Sequence, residues 1–145
     1  MFDPSRDQVR AFFFDTWRKY RAGLPLAGLE NLGLEILLLH PEYHDMLGKP
    51  GRFQDKDYSS ESNPFLHMSL HLAMEEQLSI DQPPGVAERF AALLAKTGER
   101  HEALHEAIEC LAEMVWRAQK DKAPPDAGLY LDCLEKRTGS PPTRG

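Results

Sequence analysis

The sequence predicts an all-α fold, a compact helical bundle of about six to seven helices, and three observations carry that expectation. Apolar residues recur at steps of three and four, which gathers them on one face of a helix. Cap residues followed by proline, with glycine or paired prolines at the far ends, punctuate the chain at helical intervals. Alternating runs rich in β-branched residues, which would mark strands, are absent from the sequence.

Asp3-Pro4 reads as an N-cap with proline at the first helical position, opening a helix to about residue 20. Val9, Phe12, Phe13, Trp17 and Tyr20 form its apolar stripe, and Gly23 stops it. A second helix over about 26–39 carries Leu29, Leu32, Ile36 and Leu39 on one face. Pro41 then breaks or kinks the chain and opens a short helix through Leu47. Residues 48–62, rich in Gly, Asp and Ser, form the longest predicted loop. Asn63-Pro64 starts a third major helix to about residue 80, and Asp81-Gln82-Pro83-Pro84-Gly85 breaks it. Helices over about 86–96 and 99–120 follow, separated by Gly98, with Ala123-Pro124-Pro125 ending the longer one. A last helix over about 126–137 precedes a predicted disordered tail, 138–145. The helical part, 1–137, reads as one domain.

With 145 residues, 41% hydrophobic and 28% charged, the chain has the composition of a soluble globular domain. A formal charge of −6 and dispersed basic residues argue against nucleic acid or an anionic membrane as partner. Every apolar run, that at 36–39 included, is far too short for a bilayer, and the N-terminus lacks the apolar core of a signal peptide. A cytoplasmic location is expected, where Cys110 and Cys133 would be reduced thiols packed as small hydrophobes. Trp17 and Trp116 read as core aromatics.

All six histidines fall into pairs of one spacing: His40 and His44, His67 and His71, His101 and His105. A four-residue step stacks two side chains on a helix with Cβ atoms about 5–6 Å apart. Two imidazoles so placed can converge on one ion at about 2.0–2.1 Å each. Two pairs extend one turn further, to Glu75 and Glu109. His67, His71, Met74 and Leu78 share a face of a helix that is apolar nearly all round, and His101, His105, Ile108, Ala112 and Val115 form a comparable face.

A single inward histidine is most often a hydrogen-bonded core residue. Four on two helices are harder to satisfy with carbonyls and hydroxyls, whereas a metal satisfies several at once and leaves the other ring nitrogens for carboxylates. The first pair is weaker, because Pro41 lies between its members and His40 reads as a cap. The ligand set read here is His67, His71, His101 and His105, with His44 or His40 as one extra ligand and Glu75 or Glu109 supporting. Histidine-dominated ligation favours a divalent transition metal, zinc or iron first, with nickel or copper admitted. Haem would leave most of the histidines unexplained, and the sequence contains no GxGxxG, P-loop, GxSxG or HExxH. Ser69 points away from both flanking histidines, so a serine nucleophile is not read here.

Four segments, MFDPSRDQVRAFF, HPEYHDML, NPFLHMSLHLAMEEQLSIDQPPG and LYLDCL, together resemble a bacterial family known as domain of unknown function 1841. The resemblance implies a small standalone bacterial protein and brings no activity, substrate or ligand set. In architecture alone, a bundle with His-x3-His ligands is similar to the DinB-like and hemerythrin-like groups, from which the two His-x3-His-x3-Glu stripes depart.

Three functions follow as expectations. The first is a metalloprotein with an open coordination position, acting on an unnamed small molecule by Lewis-acid chemistry. The second is a metal sensor, carrier or structural site with a closed shell. The third is a metal-free binding module in which a buried histidine network responds to pH. The Phe-rich first helix leaves a homodimer open.

Overall fold

The computed structural model describes residues 5–58 and 63–139. Among these residues the fold is all-α, with eight α-helices, one 3-10 turn and no strand. No helix among them is long and apolar enough to cross a membrane. The chain divides into two compact units, Met1–Leu72 and Ala73–Gly145, with the boundary inside one long helix.

The first unit begins with α1, Arg6–Arg21. Asp3-Pro4 lies outside the described residues, and the cap is Ser5, whose hydroxyl accepts from the Gln8 N–H while the Gln8 side chain accepts from the Ser5 N–H. Helix α2 is Leu29–Leu38, three residues shorter at its start than the apolar pattern suggested, because Gly28 takes a positive φ just before it. A 3-10 turn, Pro41–Tyr43, leads into α3, His44–Leu47. Within the predicted loop a further turn of helix forms, α4, Pro50–Phe53, started by its own proline. Helix α5, Pro64–Ile80, is capped by Asn63, whose side-chain oxygen accepts the N–H groups of Phe65 and Leu66 at 3.0 and 3.1 Å.

The apolar core of this unit joins Phe13, Phe14 and Trp17 of α1 to Ile36, Leu37, Met46, Leu47, Phe65, Met68 and Leu72. Helices α1 and α2 approach closely at Gly33, where an added Cβ would stand 2.9 Å from the Phe12 ring. Arg10, only 2% exposed, donates to the carbonyls of Gln54 and Lys56 at 2.9 and 2.7 Å and lies 4.7 Å from the centre of the Phe65 ring. This guanidinium holds the segment after α4 against α1, and ring faces partly replace its lost hydration.

The second unit holds the rest of α5 with α6, Val86–Thr97, α7, Arg100–Asp121, and α8, Ala127–Arg137, the last three packed pairwise on one another. Asp81 organises the α5–α6 connection by accepting from the Gly85 and Ala87 N–H groups. Gly98 ends α6 at φ 77°, a conformation glycine adopts without a Cβ penalty. Glu99 and Asp126 cap α7 and α8. Val86, Phe90, Leu93, Leu104, Ile108 and Leu134 are buried, and the buried Tyr130 hydroxyl donates to Gln77 Oε1 at 2.7 Å.

Two expectations are overturned in this unit. Cys110 and Cys133 are joined in a disulfide rather than held as thiols, because α7 and α8 bring their Cα atoms to 5.7 Å, within bridging range. Trp116 is 58% exposed, outside the core, with the Lys120 ammonium over its ring.

Candidate metal centre

Three of the six imidazoles converge in the first unit. The Nε2 of His67 lies 3.1 Å from the Nε2 of His40, and the Nε2 of His71 lies 3.2 Å from that of His67. The three donor atoms all fall within 4.8 Å of one another. His71 is wholly buried and His40 is 1% exposed, while His67 is partly exposed. The rings meet edge to face, with centroids 4.6–5.0 Å apart.

Each ring is set by local backbone. His67 and His71 stand one turn apart on α5, so their rings project to the same side. His40 follows the last turn of α2, four residues after the buried Ile36. Its Nδ1 lies 2.8 Å from the Ile36 carbonyl. A carbonyl oxygen only accepts, so that nitrogen carries the proton and donates. The Nε2 of His40 faces the Nε2 of His67. Tyr43 lies parallel to the His40 ring at 5.4 Å, and burial pushes its phenol above the ordinary range.

The nitrogen separations have chemical content. Ligands at about 2.0–2.1 Å from one ion stand about 2.9–3.4 Å apart, across octahedral and tetrahedral geometries. The observed 3.1 and 3.2 Å lie inside that interval. Without an ion, one proton on the His67 Nε2 can bridge to His40 or be shared with His71, but three neutral rings cannot each donate there.

Of the other sequence candidates, His44, Glu75 and Glu109 are engaged by partners of their own. His44 donates from Nε2 to the Leu37 carbonyl at 2.7 Å and stacks on Trp17 at 4.3 Å, a partly buried packing histidine. Glu75 makes a double ion pair with Arg100 at 2.6 and 2.8 Å. Glu109 accepts from Arg137 at 2.6 Å. His101 and His105 belong to the second unit, on the first two turns of α7, with ring centres 4.2 Å apart. Near them the Glu99 carboxylate is held below its usual range by the Glu102 N–H, then the His101 N–H, with both imidazoles adding to the effect. Ser69 donates to the Phe65 carbonyl at 2.7 Å, which accounts for its hydroxyl.

In the sequence, Pro41 sets His40 apart from the helical stripes. The overlooked clue is the spacing to Ile36, which continues the buried face of α2 by one turn beyond the helix end.

No curated protein and no solved structure matches the chain. One family model does match, over residues 5–136, nearly all of the described chain, and the chain belongs to that family, described as Domain of unknown function (DUF1841).

Proposed function

We propose that this protein binds a divalent transition metal through the imidazoles of His40, His67 and His71. The supporting observation is the convergence of three Nε2 atoms at 3.1 and 3.2 Å, one of them oriented by the Ile36 carbonyl as metal-bound histidines usually are by a second partner. An all-nitrogen donor set favours zinc or iron over magnesium or calcium, with nickel and copper as further candidates. The stripe of His101 and His105 is proposed on its spacing alone as the source of a fourth donor. Glu75 and Glu109 are engaged by arginines, so the proposal does not draw on them.

Three protein donors leave a tetrahedral ion one position for water or a small molecule, the arrangement of Lewis-acid sites. Four close the shell, as in structural and sensing sites. Cobalt substitution separates these outcomes: an absorption spectrum that shifts on adding a small anion such as azide means an open position.

The primary test is metal analysis of the full chain purified without a histidine tag, followed by titration with zinc and with ferrous iron. About one equivalent retained, or taken up with a raised melting temperature, is the expected result. Less than about a tenth of an equivalent, with no uptake and no effect of chelator, leaves the hydrogen-bonded histidine network as the correct reading.

A further inference from the structure

The first unit contains a cleft of about 620 Å³ between α1 and the stretch from α3 to α4. Phe14, Trp17 and Leu47, at 5%, 7% and 2% exposure, make its apolar wall. The Trp17 indole is held from other sides by His44, stacked at 4.3 Å, and by Tyr20 at 5.5 Å, so the wall is set before any ligand arrives. The volume lies in the range of small-molecule sites, which pair mostly apolar walls with a few placed polar groups.

The charged groups lining the cleft are Asp15, Arg18 and Arg21, all exposed at its mouth. Asp15 and Arg18 stand 3.8 Å apart as a loose pair and offset one another. The Arg21 guanidinium makes no ion pair or hydrogen bond with a described residue, so two arginines against one aspartate leave its charge uncompensated. A second positive group adjoins the wall. Gln54, a lining residue, accepts at its carbonyl from the buried Arg10 at 2.9 Å, and no described carboxylate pairs with Arg10. Carbonyl dipoles and ring faces stabilise that guanidinium without cancelling its charge.

We infer that this cleft binds a small amphiphilic carboxylate, with its hydrocarbon part against Phe14, Trp17 and Leu47 and its carboxylate paired with Arg21. A neutral apolar ligand would leave Arg21 unanswered, and a cation would meet it as a like charge. A protein partner needs about 20–30 residues a side, and eleven line this cleft. The hydrocarbon supplies most of the affinity, and the arginine selects the sign of the head group. The inference is independent of the metal reading.

The test reads Trp17 fluorescence in the full chain carrying Trp116→Phe, titrated with octanoate, 1-octanol and octylamine. These probes share one chain length and differ in the charge of the head. Octanoate should bind more tightly than octylammonium by at least about fivefold at low salt, the factor for unit charges about 4 Å apart in water. Raised salt should compress the ratio. The chain carries −6, so attraction to its net charge would give the opposite order. Arg21→Glu, a change at an exposed side chain, should invert the order while binding of octanol stays the same. The inference is overturned if no probe alters Trp17 emission at up to about 5 mM, beyond the weak end of specific binding. Tighter binding of octylammonium, or an order that Arg21→Glu leaves as it was, overturns it equally. So does an emission that shifts only as the chain self-associates with rising concentration, since a second copy then covers the cleft.

Discussion

In the unit Met1–Leu72 the cationic and ionisable nitrogen groups of Arg10, His40 and His71 are buried, at 2%, 1% and 0% exposure, and they touch carbonyls, rings and one another. In the unit Ala73–Gly145 the charged groups lie nearer the surface as acid–base pairs, Arg100 with Glu75, Arg89 with Glu135, Arg137 with Glu106 and Glu109. The first arrangement costs stability except where carbonyls and ring contacts offset the lost hydration. The second contributes little per pair, since exposed ion pairs are worth about 0–1 kcal/mol each, and relies on a covalent bridge and an apolar interior instead. The contrast teaches that the first unit buries its polar nitrogen groups, whereas the second carries its charges as pairs nearer the surface.

The largest expected effect breaks the comparison at its chemical side. Replacing both His40 and His71 by alanine should reduce bound metal from about one equivalent to below about a tenth, while His44→Ala, whose ring is already committed to Leu37 and Trp17, should leave it unchanged. Elemental analysis of the three proteins decides this, and equal loss in both variants would refute the assignment of His44 to packing.

Next come the two interiors. Phe13→Ala should cost about 3–5 kcal/mol and Leu104→Ala about 2–5 kcal/mol in urea unfolding, because both side chains are essentially inaccessible and their removal leaves cavities. Trp17 and Trp116 report fluorescence from different units, so single-tryptophan backgrounds show which unit each substitution loosens.

Removing the bridge should be felt only as stability. The pair Cys110→Ala and Cys133→Ala frees a closure of 23 residues, about 3 kcal/mol by chain entropy. Metal content should not change. A bridge-free variant as stable as the parent would show that helix packing alone holds α7 against α8.

The smallest effect is on acid stability. Backbone N–H groups of Ala87 and Gly85 hold the Asp81 carboxyl low, and the N–H groups of Glu102 and His101 do the same for Glu99. Their folded values lie below the unfolded ones, so the stabilisation is complete above the ordinary carboxylate value, about 4, and is lost as pH falls through the depressed values. Unfolding curves between about pH 5 and 2 should therefore be shallower for Glu99→Gln than for the parent.

Much of this was written in the chain. Prolines with preceding caps fixed the starts of the 3-10 turn and α5, and glycine closed α6, because those residues act through their own backbone. The start of α1 moved to Ser5 because a reciprocal Ser–Gln cap forms there. Spacing placed His67 and His71 on one face of α5. It could not reveal that Glu75 and Glu109 would be taken by Arg100 and Arg137, which come from 25 and 28 residues further along the chain. Nor could it pair Cys110 with Cys133, since that depends on how α7 returns as α8.

The group that orients His40 is a main-chain oxygen, the carbonyl of Ile36. Substituting the side chain at that position leaves the oxygen where it is as long as α2 retains its final turn. The aim of the imidazole is thus inherited from secondary structure, and relatives of this protein can vary residue 36 among apolar types without losing the direction of the ring. What they must preserve is the helix end itself.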